Sequence, residues 1–297
     1  MKENEMIKIA SKIFRIDKKD VLAGAGVDDC AVVRIGGKNI LLTADCVHEK
    51  TDFPPGMLPE EMGHTALAVN LSDIAGCGGK PLYFVFTITL GGKEEFERIL
   101  LGMNRLARKY DVAVVGGDID SGNELSISGF AVGVAERYIM QRGSKIGDKV
   151  CITGLTGKAQ LSLEQLESGM RRDEIAFPDA LYKPEPRIKE GIELSEHANA
   201  MTDISDSLAV SLNLIAEKSG VRILIKEDLL ELSHLTEFVN EKKALELFLY
   251  SGGDYELVYL SKKCTHGFEI GEVVEGSGVW IRNDGLRKIG SKGYVHF

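Results

Sequence analysis

The stretch PEEMGHTALAVNLSDIAGCGGKPLYFVFTITL, residues 59–90, contains a helix pattern, a glycine turn and a strand pattern in succession. Pro59 suits the first turn of a helix, and the carboxylates of Glu60 and Glu61 are favourable at its positive end. The apolar stripe of this helix consists of Met62, Ala66, Val69 and Ile74. The helix is predicted to end at Gly-Cys-Gly-Gly, and the apolar run 82–90 predicts a strand. This stretch therefore indicates a fold that mixes helices with strands.

The residues on either side continue the mixed pattern. Strands are predicted at 31–35 and 40–47, separated by the Gly36-Gly37 turn as in a hairpin. An amphipathic helix is predicted at residues 2–14. The elements predicted downstream are a helix at 94–109, a strand at 112–115 that runs into Gly116-Gly117-Asp118, and a strand at 125–134.

The pattern restarts after residues 138–148. Four further strands are predicted at 149–153, 200–204, 222–225 and 255–260. Four further helices are predicted at 158–166, 187–195, 208–218 and 241–249. Since hairpins are frequent and the alternation is irregular, we expect an α+β protein of two mixed α/β domains, 1–140 and 141–297.

The charge and composition exclude several classes of protein. The 297 residues include 45 acidic and 36 basic side chains, which gives a formal net charge of -9. An acidic surface repels phosphate backbones and anionic lipid, so we expect neither a nucleic-acid nor a membrane partner. The N-terminus lacks a signal-peptide pattern and the longest strongly apolar run, 81–90, is short, which predicts a cytoplasmic protein. The five cysteines show no paired spacing and are expected to be reduced and mostly buried.

Aspartate recurs beside glycine or serine at the predicted ends of elements. The residues of this set are Asp28, Asp29, Asp45, Asp73, Asp118, Asp203, Asp206 and Asp254. Any one of them is explained by turn or helix-cap chemistry. Asp45, Asp73 and Asp203, however, follow or lie within strongly apolar segments, where an unpaired carboxylate is costly. Because carboxylate oxygens are preferred ligands of Mg²⁺, the set predicts shared magnesium ions that bridge to a nucleotide.

Other phosphate and catalytic motifs fail on their own spacing. The segment TGLTGKA, residues 153–159, lacks the first glycine and the final Ser/Thr of a Walker A loop and is predicted to be a strand-to-helix turn. GAGVDD has Asp29 where a dinucleotide-binding loop has its third glycine. The six histidines form no zinc-protease or hydrolase pattern, so no general base is predicted.

Seven segments together resemble one enzyme family in order and spacing. They are GVDDCAVV, LLTADCVHEKTDFPPGMLPEEMG, ALAVNLSDIAGCGGKPL, VGGDID, KPEPRIKEG, MTDISDSLAVSL and SGGDYELV. They resemble the thiamine-monophosphate kinase family, which belongs to an ATP-binding superfamily with aminoimidazole ribonucleotide synthetase and selenophosphate synthetase. The resemblance covers nearly the whole chain and is most specific at NLSDIA, DISD and GGDYEL.

The resemblance implies an architecture and a set of ligands. It implies a homodimer joined through a β-barrel formed by the two N-terminal domains, with a C-terminal α/β sandwich closing over ATP and several Mg²⁺ ions. The metal ligands that it implies are Asp29, Thr43, Asp45, Asp73, Asp118, Asp203 and Asp206. The ATP contacts that it implies are Gly117, Asp118, Arg142 and Ser205.

The chain departs from the family mainly at the positions implied to bind the acceptor, Asp52, Gly253 and Ser291. Asp52 stands where many members have a histidine, Gly253 replaces a glutamate, and Ser291 replaces a tryptophan that stacks on the substrate. The ending GYVHF resembles the family's GYDHF. Near the implied metal ligands, Ala44 stands where the family has a hydroxyl-bearing residue, and Ser207 stands where it has a glycine.

The implied reaction is transfer of the γ-phosphoryl group of ATP to thiamine monophosphate. A phosphate monoester with a second pKa of about 6 is largely deprotonated at neutral pH, so this acceptor needs no general base. Two alternatives remain open at this stage. One is a non-catalytic ATP-binding paralogue that has lost acceptor residues, and the other is an enzyme of different specificity that resembles aminoimidazole ribonucleotide synthetase.

Overall fold

The described residues, 3–14, 18–92 and 95–294 of a computed structural model, form two β-sheets with helices between and around them. The helices are α1 (Glu3–Ile13), α2 (Pro59–Gly76), α3 (Phe96–Lys109), α4 (Lys158–Glu167), α5 (Pro178–Tyr182), α6 (Ile188–Leu194), α7 (Leu208–Ser219), α8 (Ser233–Thr236) and α9 (Glu241–Tyr250). A short 3-10 helix lies at Glu227–Leu229. Residues 2 and 94, where two predicted helices begin, and the last three residues of GYVHF lie outside the described residues.

The first sheet has six strands in the order β1-β2-β3-β6-β4-β5. Its strands are β1 (Val21–Ala23), β2 (Ala31–Ile35), β3 (Lys38–His48), β4 (Lys80–Leu90), β5 (Ala113–Ser121) and β6 (Ser126–Ala135). All pairs are antiparallel except β4 with β5, which is parallel. Strand β5 lies at one edge of the sheet. The sheet is open among the described residues, so the expected barrel is not formed within one chain.

The second sheet has seven strands in the order β13-β12-β9-β11-β7-β10-β8. Its strands are β7 (Lys149–Ile152), β8 (Ala200–Ile204), β9 (Arg222–Lys226), β10 (Glu256–Ser261), β11 (Phe268–Val274), β12 (Gly278–Arg282) and β13 (Leu286–Ile289). Alternate residues of β7 and β10 enter different cores, since Val150 and Val258 pack with α7 and α9 while Cys151 and Leu257 pack toward the first sheet. The sheet is therefore covered on both faces, as strands with successive buried residues require.

Helix α2 lies between the two sheets and is buried on almost all sides. It contacts β3 and β6 of the first sheet and β8 and β10 of the second. The sequence predicts one apolar stripe, but small residues also bury the opposite side of the helix. Gly63 and Gly102 allow α2 and α3 to cross closely, because a β-carbon at either position would overlap a backbone carbonyl of the other helix.

Most predicted elements are confirmed to within a few residues. The segment Gly116-Gly117-Asp118 is an exception, because it does not end its strand but lies inside β5. Among the described elements, β1, α5, α8, β11, β12 and β13 were not predicted from the sequence. None of the helices in the described part of the chain is long and apolar enough to span a lipid bilayer.

Candidate active site

A cavity of about 640 Å³ lies between the end of β3, helix α2 and the loops of the second sheet. Four of the predicted metal ligands line it, namely Asp45, Asp73, Asp203 and Asp206. Ser205, Asp52 and Gly253 line it as well. The cavity thus brings together residues that are up to about 200 positions apart in the sequence.

Asp73 is positioned by the two elements that flank it. It lies on the last turn of α2, and its Oδ2 accepts a hydrogen bond from the Thr43 hydroxyl on β3. Two residues further along β3, the Asp45 backbone N–H donates to Asn70 Oδ1 at 3.2 Å. These two hydrogen bonds fix the position of α2 relative to β3, so the carboxylates of Asp45 and Asp73 lie in the same cavity.

Asp203 enters the same region from the second sheet. It lies on β8 and is only 4% exposed, and its Oδ2 accepts a 2.6 Å hydrogen bond from the Ser72 hydroxyl of α2. Beyond β8, Ser207 caps helix α7 by accepting from the Val210 N–H at 3.0 Å. This cap ends the strand within DISDS and leaves Ser205 and Asp206 in the connecting turn at the cavity wall.

Asp29 lies behind the cavity lining and contacts the second sheet. Its two carboxylate oxygens are 2.9 and 2.7 Å from the Thr202 hydroxyl of β8. Its Oδ1 also accepts from the Gln141 side-chain amide. Gly76 is required here, since a β-carbon at that position would lie 2.8 Å from Asp29 Oδ2.

The carboxylates of this cluster resist ionisation. Burial raises the pKa of Asp73 well above its usual range, and the charges of Asp45, Asp203 and Asp29 raise it further. Burial raises the pKa of Asp203 to about 7 against the opposing effect of the Ser72 hydrogen bond. Burial and the charges of Asp203 and Asp28 raise the pKa of Asp29 in the same way. Buried, mutually repelling carboxylates beside a threonine hydroxyl have the donor chemistry that Mg²⁺ prefers, so these residues fit the predicted ion.

The predicted acceptor residues have diverse surroundings. Asp52 Oδ2 accepts hydrogen bonds from the His48 N–H at 2.8 Å and the Thr51 hydroxyl at 2.6 Å, so it also fixes its own turn. Gly253 has a φ of +84°, a value that favours glycine. Ser291 is exposed and is not among the residues that line the cavity, whereas Gly293 and Tyr294 are.

Five other predicted site residues lie outside the lining of the cavity. Thr43 contacts it indirectly, through its hydrogen bond to Asp73. Asp29 lies close enough to the lining residue Asp203 for the charge of Asp203 to raise its pKa. Gly117 and Asp118 lie on the exposed edge strand β5, where Asp118 pairs in register with Thr87. Arg142 is exposed and lowers the pKa of Asp28 through its charge, although burial dominates and raises that pKa to about 6.

Asp254, by contrast, caps a helix, which is the alternative explanation given above for any one aspartate of the predicted set. Its carboxylate accepts from the backbone N–H groups of Gly157 at 2.6 Å, Lys158 at 3.1 Å and Ala159 at 3.2 Å. These are the free donors at the N-terminus of α4, so the end of the Walker-like segment is occupied by a side chain. The prediction of a strand-to-helix turn at TGLTGKA is confirmed.

Most residues that line the cavity were not predicted from the sequence, and Lys50, Phe53 and Tyr255 are three of them. Among the described residues, Lys50 is the only basic side chain that lines the cavity. Phe53 follows on the same loop. Tyr255 has an unusual φ of +50°, and burial together with the nearby carboxylates raises its pKa well above the usual range. The backbone strain at Tyr255 would have indicated a functional position, but it has no signature in the sequence.

Comparison with known proteins decides the family. Residues 27–135 match the family described as AIR synthase related protein, N-terminal domain. A thiamine-monophosphate kinase of Archaeoglobus fulgidus is 51% identical over 298 residues, a match that covers 100% of this chain and 98% of that protein. The chain belongs to the thiamine-monophosphate kinase family. The corresponding kinase of Pyrococcus horikoshii is 37% identical and matches 96% of this chain and 95% of its own length.

Solved structures agree with this membership of the thiamine-monophosphate kinase family. AaThiL complexed with AMPPCP and TMP superposes with a TM-score of 0.87 at 31% identity, over 100% of this chain and 97% of that one. A chain of the HypE-HypF complex has a TM-score of 0.74 at 22% identity, over 96% of this chain and 98% of that one, and shows a shared fold alone.

Proposed function

We propose that this protein transfers the γ-phosphoryl group of ATP to the phosphate of thiamine monophosphate, giving thiamine diphosphate and ADP, and that it does so in the cytoplasm. The observation that carries the proposal is the cavity that gathers Asp45, Asp73, Asp203 and Asp206 around one space. The likeness to AaThiL complexed with AMPPCP and TMP supports the identity of the nucleotide and of the acceptor.

The aspartate cluster would hold the magnesium ions. The residues proposed as ligands are Asp29, Thr43, Asp45, Asp73, Asp118, Asp203 and Asp206. Bound Mg²⁺ would draw negative charge from the phosphates of ATP and of the acceptor, which otherwise repel each other. The hydrogen bonds from Thr43 to Asp73 and from Ser72 to Asp203 orient these carboxylates before the ions bind.

The remaining residues would position the two substrates. We propose that Gly117, Asp118, Arg142 and Ser205 contact ATP, and that Asp52, Gly253 and Ser291 contact the acceptor. No histidine is among the cavity-lining residues in the described part of the chain, and the acceptor phosphate needs no general base. Catalysis therefore depends on in-line positioning and on charge neutralisation.

Incubation with ATP, Mg²⁺ and thiamine monophosphate, followed by assay for thiamine diphosphate, tests the function directly. We expect product with Mg²⁺ and none in excess chelator, because an acidic cavity without cations repels both substrates. Absence of product across varied metal and salt concentrations would instead favour a non-catalytic ATP-binding paralogue or an enzyme with another acceptor. Tight ATP binding in excess chelator would contradict the proposed metal role.

We also propose that two copies associate through the first sheet. The face of this sheet that lies away from α2 exposes a band of apolar side chains on three neighbouring strands. The band consists of Leu42, Tyr83, Val85 and Phe130. Val85 and Phe130 are register partners on β4 and β6, so the band is continuous. A contiguous exposed apolar face indicates a protein interface, and a second copy would complete the expected barrel.

A further inference from the structure

Behind the aspartate cluster, a lysine of the second half of the chain contacts the loop that holds Asp28 and Asp29. Lys218 lies near the end of α7, and its Nζ donates to the Val27 carbonyl at 2.8 Å. The same ammonium group donates to the Gln141 side-chain oxygen. Lys218 thus connects α7 both to the aspartate loop and to the segment that follows the first sheet.

Gln141 passes this contact on to Asp29. It is only 4% exposed, and its Nε2 donates to Asp29 Oδ1 and lies 3.1 Å from the Thr202 hydroxyl. Its backbone N–H donates to Asp28 Oδ2 at 3.0 Å. Both ends of the buried amide are therefore in use, with the oxygen toward Lys218 and the nitrogen toward Asp29.

The chemistry of lysine determines which end of the amide faces the carboxylate. An ammonium group has three hydrogen-bond donors and no acceptor. It can therefore form a hydrogen bond only with the oxygen of the Gln141 amide and not with its NH₂ group. That choice directs the NH₂ group toward Asp29, where a donor is needed. In the flipped orientation, the amide oxygen would face a carboxylate and repel it.

We propose that Lys218 is a positioning residue that fixes the Gln141 amide and thereby orients Asp29 to bind Mg²⁺. The inference rests on the proposed function in so far as Asp29 is a metal ligand. The charge of Lys218 also favours the ionised form of Asp29, so its removal weakens Mg²⁺ binding by electrostatics as well as by loss of the oriented donor. The double variant with Gln141→Met separates these two effects.

The test is Mg²⁺ binding in the presence of a saturating β,γ-methylene ATP analogue, measured by calorimetry and by the rise in the unfolding midpoint. We expect Lys218→Met to weaken Mg²⁺ binding about 10-fold, as for other partners of metal-binding side chains. Lys242→Met, which removes an exposed lysine of α9, is the matched control and should leave binding unchanged. Unchanged or tighter Mg²⁺ binding by Lys218→Met would overturn the proposal.

Two further variants examine the route through the amide. Lys218→Arg keeps a side chain that can only donate and should restore most of the affinity, whereas Lys218→Gln offers a donor and an acceptor and should behave like Lys218→Met. Lys218→Gln also serves as the test variant if Lys218→Met does not fold. The double variant Lys218→Met with Gln141→Met should bind Mg²⁺ as weakly as Gln141→Met alone, and additive losses would contradict transmission through Gln141.

These binding measurements need no acceptor and no phosphoryl transfer. A wild-type protein that binds Mg²⁺ with the analogue but forms no thiamine diphosphate would refute the proposed function and still allow the Lys218 variants to be compared. The two proposals can therefore fail separately.

Discussion

Asp73 is a buried carboxylate with acidic neighbours, an arrangement that lowers the stability of the fold and therefore indicates a functional role. Its carboxylate is desolvated and faces Asp45, Asp203 and Asp29, and each of these charges raises its pKa. The sequence identified Asp73 because a carboxylate inside an apolar helix is expensive. It could not show which other charges surround Asp73, since those belong to β3, to β8 and to a distant loop.

Replacing Asp73 with asparagine should separate activity from stability. We expect thiamine diphosphate formation to fall by more than about 100-fold, the loss typical of removing one group that stabilises transition-state charge. The metal-free variant should unfold at the same or a higher temperature than the wild type, because a repelling buried charge is gone. Activity assays and thermal unfolding in chelator measure the two effects.

Asp179→Asn, at an exposed helix position, is the control for this experiment and should change neither quantity appreciably. Near-normal activity of Asp73→Asn would contradict the metal assignment of this residue. A large loss of stability would show that Asp73 is primarily structural.

At the scale of elements, the crossing of α2 and α3 determines how the first half of the chain packs. Gly102 lies against the Glu60 carbonyl with no room for a β-carbon. We expect Gly102→Ala to lower the free energy of unfolding by about 1–3 kcal/mol or more, because overpacking forces the helices apart, even though alanine favours a helix. Urea unfolding measures this change.

Gly290→Ala is the matched control for the helix crossing, since a β-carbon at Gly290 meets nothing within 4 Å. The control should be nearly neutral. An equally neutral Gly102→Ala would mean that the two helices can separate at little cost.

The carboxylate of Asp254, at the N-terminus of α4, makes the stability of the fold depend on pH. Burial raises the pKa of Asp254 to about 6 from a usual value of 3.8, although three backbone N–H groups favour its charged form. The folded state therefore binds this proton more tightly than the unfolded state does. Its contribution to stability is fully present below about pH 4 and is lost as the pH rises through about 6, with a total of about 3 kcal/mol.

Asp254→Asn should remove this part of the pH dependence. We expect the difference in free energy of unfolding between pH 4 and pH 7 to shrink by about 2 kcal/mol relative to the wild type, because this interval covers most of the titration. Chemical unfolding at both pH values measures it, and the exposed Asp284→Asn variant is the control. An unchanged difference would mean that Asp254 does not titrate in this range.

For the whole molecule, the predicted boundary near residue 140 separates the two sheets but not their cores. Strand β6 ends at Ala135 and β7 begins at Lys149. Residues of the second half, including Ile188, Met201 and Tyr259, pack into the core that α2 and the first sheet form. The division into domains 1–140 and 141–297 remains a prediction, and this shared core favours unfolding in one transition.

Association is the prediction that belongs to the complete molecule. Phe130→Glu places a charge at the centre of the exposed apolar face of the first sheet, and we expect it to convert a dimer into a monomer because buried unpaired charge is costly. Sedimentation or light scattering measures the mass. Leu286→Glu, at an exposed apolar position of the second sheet, should leave the dimer intact. A monomeric wild type would contradict the proposed interface.

The main helices and strands, the mixed α and β class, the family and four aspartates that line the cavity could be predicted from the sequence alone. These are local properties, because helix and strand periodicity and motif spacing are fixed along the chain. The folded chain was needed to show that β5 continues through Gly116-Gly117-Asp118, that Asp254 caps α4, and that Lys218 reaches Asp29 through Gln141. Those facts depend on which distant segments meet, and the burial that results from such contacts is what shifts the pKa values and gives the carboxylate cluster its chemistry.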